Sequence, residues 1–236
     1  GDLRIIDVDG KVLVPAMDKY HYQETIGEAV ESYSYLKSPY YKPRGYPSGM
    51  YRVGPLSRLN LASHAGTRLA DEELALFKEM TLEDRQSSFH YHYARLIEML
   101  FGVERIEQLL HSPDILSPHV HALASPNAYE GVGISEAPRG TLLHHYKIDE
   151  DGLIRYVNLI IATGNNNMAM NRGVLQVAQK YIHGGQASEG ALNRVEAVIR
   201  AFDPCLSCST HAIGQMPLHI EMVSPDGDVV GEVKRG

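Results

Sequence analysis

The only two cysteines of this chain, Cys205 and Cys208, stand three residues apart directly behind Asp203-Pro204. That placement constrains the fold twice over. A pair so close in sequence cannot staple distant segments, so a disulfide framework is excluded and a hydrophobic core must carry the fold. Proline disfavours helical geometry in the residue before it, so a helix reaching Phe202 must stop there. The 236 residues are 44% hydrophobic and 22% charged, an ordinary globular balance with room for one sizeable domain or two small ones. Lys and Arg number 22 against 29 Asp and Glu, a formal net charge of −7. A chain this acidic lacks the broad basic face that a phosphate backbone demands, which argues against nucleic-acid binding. No apolar run approaches bilayer length, and the first residues lack a basic segment followed by an apolar one. Neither a membrane span nor an export signal is expected.

The spacing of apolar and turn residues places the elements. Residues 3–8 and 11–14 are short apolar runs joined by Asp9-Gly10, a β-hairpin signal. Pro39, Pro43, Pro47 and Pro55 preclude a continuous helix, so 15–68, rich in Tyr, is expected to wrap irregularly over a core. Asp71 is placed to cap a helix through EELALFKEM. A second helix over 85–101 would set Phe89, Tyr93, Leu96, Ile97 and Leu100 on one apolar face, with a third over 103–110. Strands are expected over 141–148 and 153–162, around the turn Asp149-Glu150-Asp151-Gly152. Two further helices cover 168–182 and 190–202, the latter capped by Ser188 with Leu192, Val195, Ile199 and Phe202 in a stripe. A second hairpin turns at Pro225-Asp226-Gly227. The class is α+β and helix-dominated, with peripheral β-hairpins.

The chemistry concentrates in Asp203-Pro204-Cys205-Leu206-Ser207-Cys208-Ser209-Thr210-His211. Two thiolates at this spacing can converge on one metal, and thiolate suits nickel, zinc or iron. A structural zinc site would need a fourth ligand, usually from a second knuckle, which is absent. A thioredoxin-like redox pair should open a helix, whereas this one closes a helix. Two inert buried cysteines are a further reading.

The whole string resembles the C-terminal signature of the nickel–iron hydrogenase large subunit, Asp-Pro-Cys-x-x-Cys-x-x-His. Glu136-Ala137-Pro138-Arg139-Gly140, Val53-Gly54-Pro55-Leu56-x-Arg58 and Tyr35-Leu36-Lys37-x-Pro39 are similar to motifs of the same family, in the same order. HHYKIDEDG and NLIIATGNNN look closest to the cytoplasmic, bidirectional NAD-linked members. The family binds nickel with four cysteines, two from an N-terminal pair that this chain lacks. It therefore looks like the C-terminal half of such a large subunit and takes that half's fold, expected inactive alone.

The resemblance implies a role for each residue. Cys205 would be a terminal nickel ligand, and Cys208 would bridge nickel to an iron carrying CO and CN ligands. His211 and the backbone carbonyl of Leu159 would bind Mg2+, with Lys37 in the hydrogen-bonded shell around that ion. Arg139 would lie over the bimetallic site, either accepting a proton as H2 splits or polarising the site and bonding a cyanide. Free Arg hardly ever deprotonates, so the milder role asks less. Asp203 would orient Arg139, Pro138 would help form a dry pocket, and Thr163 would donate to the second cyanide. A protease would cut between His211 and Ala212 after nickel insertion, which divides the chain into 1–211 and a removable 212–236. Implied partners are an iron–sulfur small subunit, a flavin-containing NAD-reducing module, nickel chaperones and that maturation protease.

Two alternatives stay open on the residues alone. One is a non-catalytic metal-binding or scaffold protein using Cys205, Cys208 and His211. The other is the related subunit of respiratory NADH:quinone oxidoreductase, against which the cysteines argue. Gly131-x-Gly133-x-x-Glu136 imitates a dinucleotide fingerprint, but Glu replaces the third Gly and no βαβ unit surrounds it. His90-x-His92, His119-x-His121 and His144-His145 read as polar faces or packing, and the tyrosines over 33–51 as packing or subunit contact.

Overall fold

The computed structural model describes residues 2–123, 127–182, 188–205 and 218–235. In chain order the elements are β1 (Leu3–Ile6), β2 (Val12–Met17), α1 (Tyr22–Thr25), β3 (Ile26–Glu31), β4 (Ser34–Tyr41) and α2 (Pro55–Leu61). Next come α3 (Arg68–Glu79), α4 (Leu82–Gln86), α5 (His90–Leu110), β5 (Glu130–Ala137), β6 (Gly140–Ile148) and β7 (Ile154–Ile160). The series closes with α6 (Ala162–Asn165), α7 (Asn167–Tyr181), α8 (Glu189–Phe202), β8 (Leu218–Val223) and β9 (Val229–Arg235). Strands pair antiparallel throughout, as the hairpins β1–β2, β3–β4 and β8–β9 and the three-stranded sheet β5–β6–β7. The α+β, helix-dominated class holds.

Two apolar clusters hold the chain together. Leu56, Leu74, Phe77, Ile97, Val198 and Phe202 join α2, α3, α5 and α8, and Ala169 adds α7. Met17, Tyr22, Val132, Leu143 and Ile160 form the second, against the three-stranded sheet. Phe77 is fully buried. Phe77→Ala should therefore cost about 3–5 kcal/mol, read as a lower urea midpoint with little change in slope.

The register of the sheet explains a buried histidine. His145 pairs with Val132 on one side and Asn158 on the other, two residues along from the Ile134–Leu143–Ile160 row. Side chains two apart on a strand share a face, so His145 and Asn158 point inward with the core. Both are buried and bonded. The Tyr22 hydroxyl accepts from Asn158 Nδ2 at 3.1 Å and Gln23 Nε2 at 3.2 Å, leaving its proton for His145 Nδ1 at 3.1 Å. His145 Nε2 meets Glu130 at 2.8 Å. Burial pushes the Tyr22 phenol above its ordinary range.

Several expectations need correction. Residues 15–68 are more regular than their prolines suggest, because the hairpin β3–β4 places Pro39 opposite Glu28 at its edge. Helix α3 starts at Arg68 behind Thr67, three residues before Asp71, whose carboxylate instead accepts from Ala65 N and Gly66 N. The helices expected over 85–101 and 103–110 divide elsewhere, into α4 and one continuous 21-residue α5 that runs through Gly102. Its buried residues are Tyr91, Ala94 and Ile97, whereas Phe89 and Leu96 are exposed. Leu96, Met99, Val103, Ile106 and Leu110 instead make an exposed stripe at alternating spacings of three and four. Strand β5 was not expected. Gly131 and Gly133 weaken its pattern, yet it pairs with β6 along its whole length, so the glycine-rich stretch is strand and not a dinucleotide loop.

Candidate active site

Arg139 sits in a tight turn. Ala137 and Gly140 pair at the end of β5 and the start of β6, leaving Pro138 and Arg139 as the connecting residues. Gly140 has φ 141°, and a Cβ there would lie 2.2 Å from Val53 Cγ2. Gly54 faces the same turn at φ 97°, where a Cβ would lie 2.8 Å from the Arg139 carbonyl oxygen. Two glycines thus let the turn and the segment before α2 touch through their backbones. Asn166 joins them, accepting from Val53 N at 2.9 Å and donating to the Arg139 carbonyl at 3.4 Å. Tyr91 donates to the Val53 carbonyl at 2.9 Å, and burial pushes its phenol up to about 12. Asn165, the neighbour of Asn166, accepts from the Tyr51 hydroxyl and donates to the carbonyls of Thr141 and Ile161. These two asparagines are buried and bonded at both ends of the amide, as interior polar groups must be.

The guanidinium of Arg139 reaches the end of α8. Asp203 terminates that helix in the left-handed region, φ 50°, a conformation that a short polar side chain tolerates better than most. The turn brings two oxygens to Arg139 Nε, the Asp203 carbonyl at 2.7 Å and the carboxylate Oδ2 at 3.2 Å. Arg95, from α5, approaches the same Oδ2 at 3.8 Å and donates to the Ala201 carbonyl at 3.3 Å. Two guanidiniums thus share one carboxylate at the end of α8.

Cys205 follows Asp203 by two residues. Its backbone N–H donates to Thr163 Oγ1 at 3.1 Å, and Thr163 is buried in the single turn α6. Hence Arg139, Asp203, Thr163 and Cys205 are brought together by direct bonds. Pro138 is exposed, and its carbonyl accepts from Arg58 at 3.0 Å. A cavity of about 610 Å3 is lined in part by Val53, Tyr91, Thr141 and Asn165, but by none of Arg139, Asp203, Thr163 and Cys205. Pro138 does not line it.

Lys37 and Leu159 sit in a separate cluster. The Lys37 ammonium is 3.4 Å from Asn158 Oδ1 and 3.6 Å from Glu28 Oε2. Asn158 Nδ2 donates to Glu28 at 2.8 Å. Leu159 is next along β7, paired with His144. Cys208, His211 and Ala212 lie outside the described residues, and so does the cleavage position. Among the described residues no group of three or more His, Cys, Asp or Glu side chains is placed to hold a metal. Cys205 is disulfide-bonded in this structure; reduced to the thiolate it becomes the soft donor that the described site offers, with chemistry that fits nickel or iron.

Arg95, Asn165, Asn166 and Glu28 were not singled out in the sequence. The GNNN run offered a signal for the two asparagines. Arg95 offered none, because nothing local marks which helical arginine faces a distant carboxylate.

The family model for nickel-dependent hydrogenases matches residues 9–211. The chain belongs to that family. Among relatives of this hydrogenase chain is the "NAD-reducing hydrogenase HoxS subunit beta" of Cupriavidus necator, 46% identical over 100% of this chain and 49% of the relative. One subunit of the F420-non-reducing hydrogenase of Methanothermobacter thermautotrophicus is 43% identical over 99% of this chain and 50% of the relative. A crystal structure of an NAD+-reducing [NiFe]-hydrogenase in the H2-reduced state superposes with a TM-score of 0.83 at 42% identity, covering 89% of this chain and 47% of that one. This hydrogenase chain thus spans about half the length of the relatives it matches.

Proposed function

We propose that this chain supplies one half of a nickel–iron catalytic centre that interconverts H2 with protons and electrons. The electrons pass to an iron–sulfur small subunit, then through a flavin-containing module to NAD, in a cytoplasmic complex. One observation carries the reading: Arg139 is bonded to Asp203, two residues before Cys205, whose N–H is anchored on Thr163. Similarity to NAD-reducing hydrogenases supports the acceptor and the setting. Among the described residues no helix is long and apolar enough to cross a membrane.

Cys205 and Cys208 would hold the metals from this side, Cys208 reaching both nickel and iron. When bound, the centre with its CO and CN ligands supplies the redox chemistry for cleaving H2. Arg139 would hold its positive charge beside that centre and would donate hydrogen bonds to an anionic ligand there. Asp203 holds the guanidinium through Nε, while Thr163, accepting from Cys205 N, has its hydroxyl proton left to donate. By the resemblance, the Leu159 carbonyl and His211 would hold Mg2+, with Lys37, which is bonded to Asn158 and paired with Glu28, in the shell around it. Nickel chaperones and a protease cutting between His211 and Ala212 would complete maturation. The exposed stripe on α5 supports association with further polypeptide.

Two cysteines cannot furnish four thiolates. The purified chain alone should therefore show no H2-dependent dye reduction, whereas the complex with the polypeptide carrying the other thiolates and the small subunit should reduce NAD with H2. Turnover by the chain alone would overturn the reading.

A further inference from the structure

We propose that Arg58 is the positioning residue for Arg139, a proposal that rests on Arg139 being the working group of the site. Arg58 belongs to α2, which begins at the Gly54-Pro55 step already pressed against the Arg139 turn. Each of its five guanidinium hydrogens has an acceptor. Nε and one terminal nitrogen grip Glu98 of α5 at 2.7 and 2.6 Å, a bidentate pair. The other terminal nitrogen reaches Glu136 Oε2 and the Ala137 carbonyl, both at 2.8 Å. The nitrogen shared with Glu98 also donates to the Pro138 carbonyl at 3.0 Å.

Three consecutive carbonyls are thereby fixed. Those of Ala137 and Pro138 are held by Arg58, and that of Arg139 by Asn166. A surface turn carrying an ordinary ion pair has no use for such restraint. A side chain that must hold its charge at one place does, because a displacement of about 1 Å can cost on the order of 10²-fold in rate. Only a planar fork with five donors can meet two carboxylates and two carbonyls together. Lysine has three donors radiating from one atom and cannot reproduce the pattern. Glu98 and Glu136 outweigh the burial that opposes a buried cation, so Arg58 remains charged.

The test is Arg58→Lys, with Glu136→Gln as a milder second variant that removes the charge of one anchor and keeps Arg58. In the chain itself, phenylglyoxal labelling of Arg139, read by peptide mass spectrometry, should become severalfold faster in both variants as the guanidinium leaves Asp203. In the assembled enzyme, turnover per nickel should fall at least about tenfold with KM for H2 within about twofold, since positioning acts on the reacting geometry. Unchanged Arg139 labelling, or lower stability and nickel content with full turnover per nickel, would overturn the proposal. If Arg58→Lys does not fold, Glu136→Gln decides between the same outcomes. Arg139→Lys measured alongside separates the two readings: full turnover there removes the role of Arg139, while the labelling still decides whether Arg58 positions it.

Discussion

Arg139→Lys should lower H2 turnover per nickel by about 10²–10³-fold in the assembled enzyme, the usual loss when a preorganised donor is removed from a reacting centre. Lysine keeps the charge, so the effect isolates geometry. The guanidinium lies with Nε 2.7 Å from the Asp203 carbonyl and 3.2 Å from its carboxylate, so these contacts engage Nε and not the two terminal nitrogens. An ammonium satisfied by Asp203 has no second arm to present. The fold should be unaffected, because Arg139 is only partly buried and its carbonyl, bonded by Asn166 and packed close to Gly54, is held independently of the side chain. Unchanged thermal unfolding with lost turnover is the expected pair of results, read by calorimetry and H2-dependent dye reduction. Retained turnover would reduce the Arg139–Asp203 contact to a partly exposed ion pair of the kind worth little.

Cys205→Ser should have the larger effect on metal. The N–H of residue 205 keeps its bond to Thr163 Oγ1, so the backbone stays in place while the soft donor is exchanged for a hydroxyl that stays protonated. Nickel per chain, measured by plasma mass spectrometry, should fall at least about tenfold, as expected when a thiolate that a transition metal requires is withdrawn. Nickel retained at the level of the unaltered protein would remove Cys205 from the ligand set.

What the sequence disclosed and what it withheld divide along the range of the interactions. Local chemistry was legible: Ser188 caps α8 through its side chain, and Asp203-Pro204 stops it. The Asp9-Gly10 turn and the last hairpin were equally plain. The EAPRG turn stood out as a motif, and the structure joins it to Asp203 across 64 residues. Long-range choices were hidden. Helical spacing placed Tyr93, Ile97 and Leu100 against the core, but it did not reveal that Tyr91 and Ala94 join them while Phe89 and Leu96 do not. Strand β5 escaped because its glycines carry no alternation, and only its partner β6 shows it to be a strand. Arg95 and Glu98 were two charges on a long helix until packing set one against Asp203 and the other against Arg58.

The decisive property is which metals this chain carries when it matures beside the polypeptide and small subunit proposed to complete the enzyme. Elemental analysis of that purified complex, with the metals of the iron–sulfur clusters subtracted, should give nickel and one further iron in equal amounts, both lost with Cys205→Ser. Zinc in place of both, or nickel indifferent to that substitution, would contradict the nickel–iron reading.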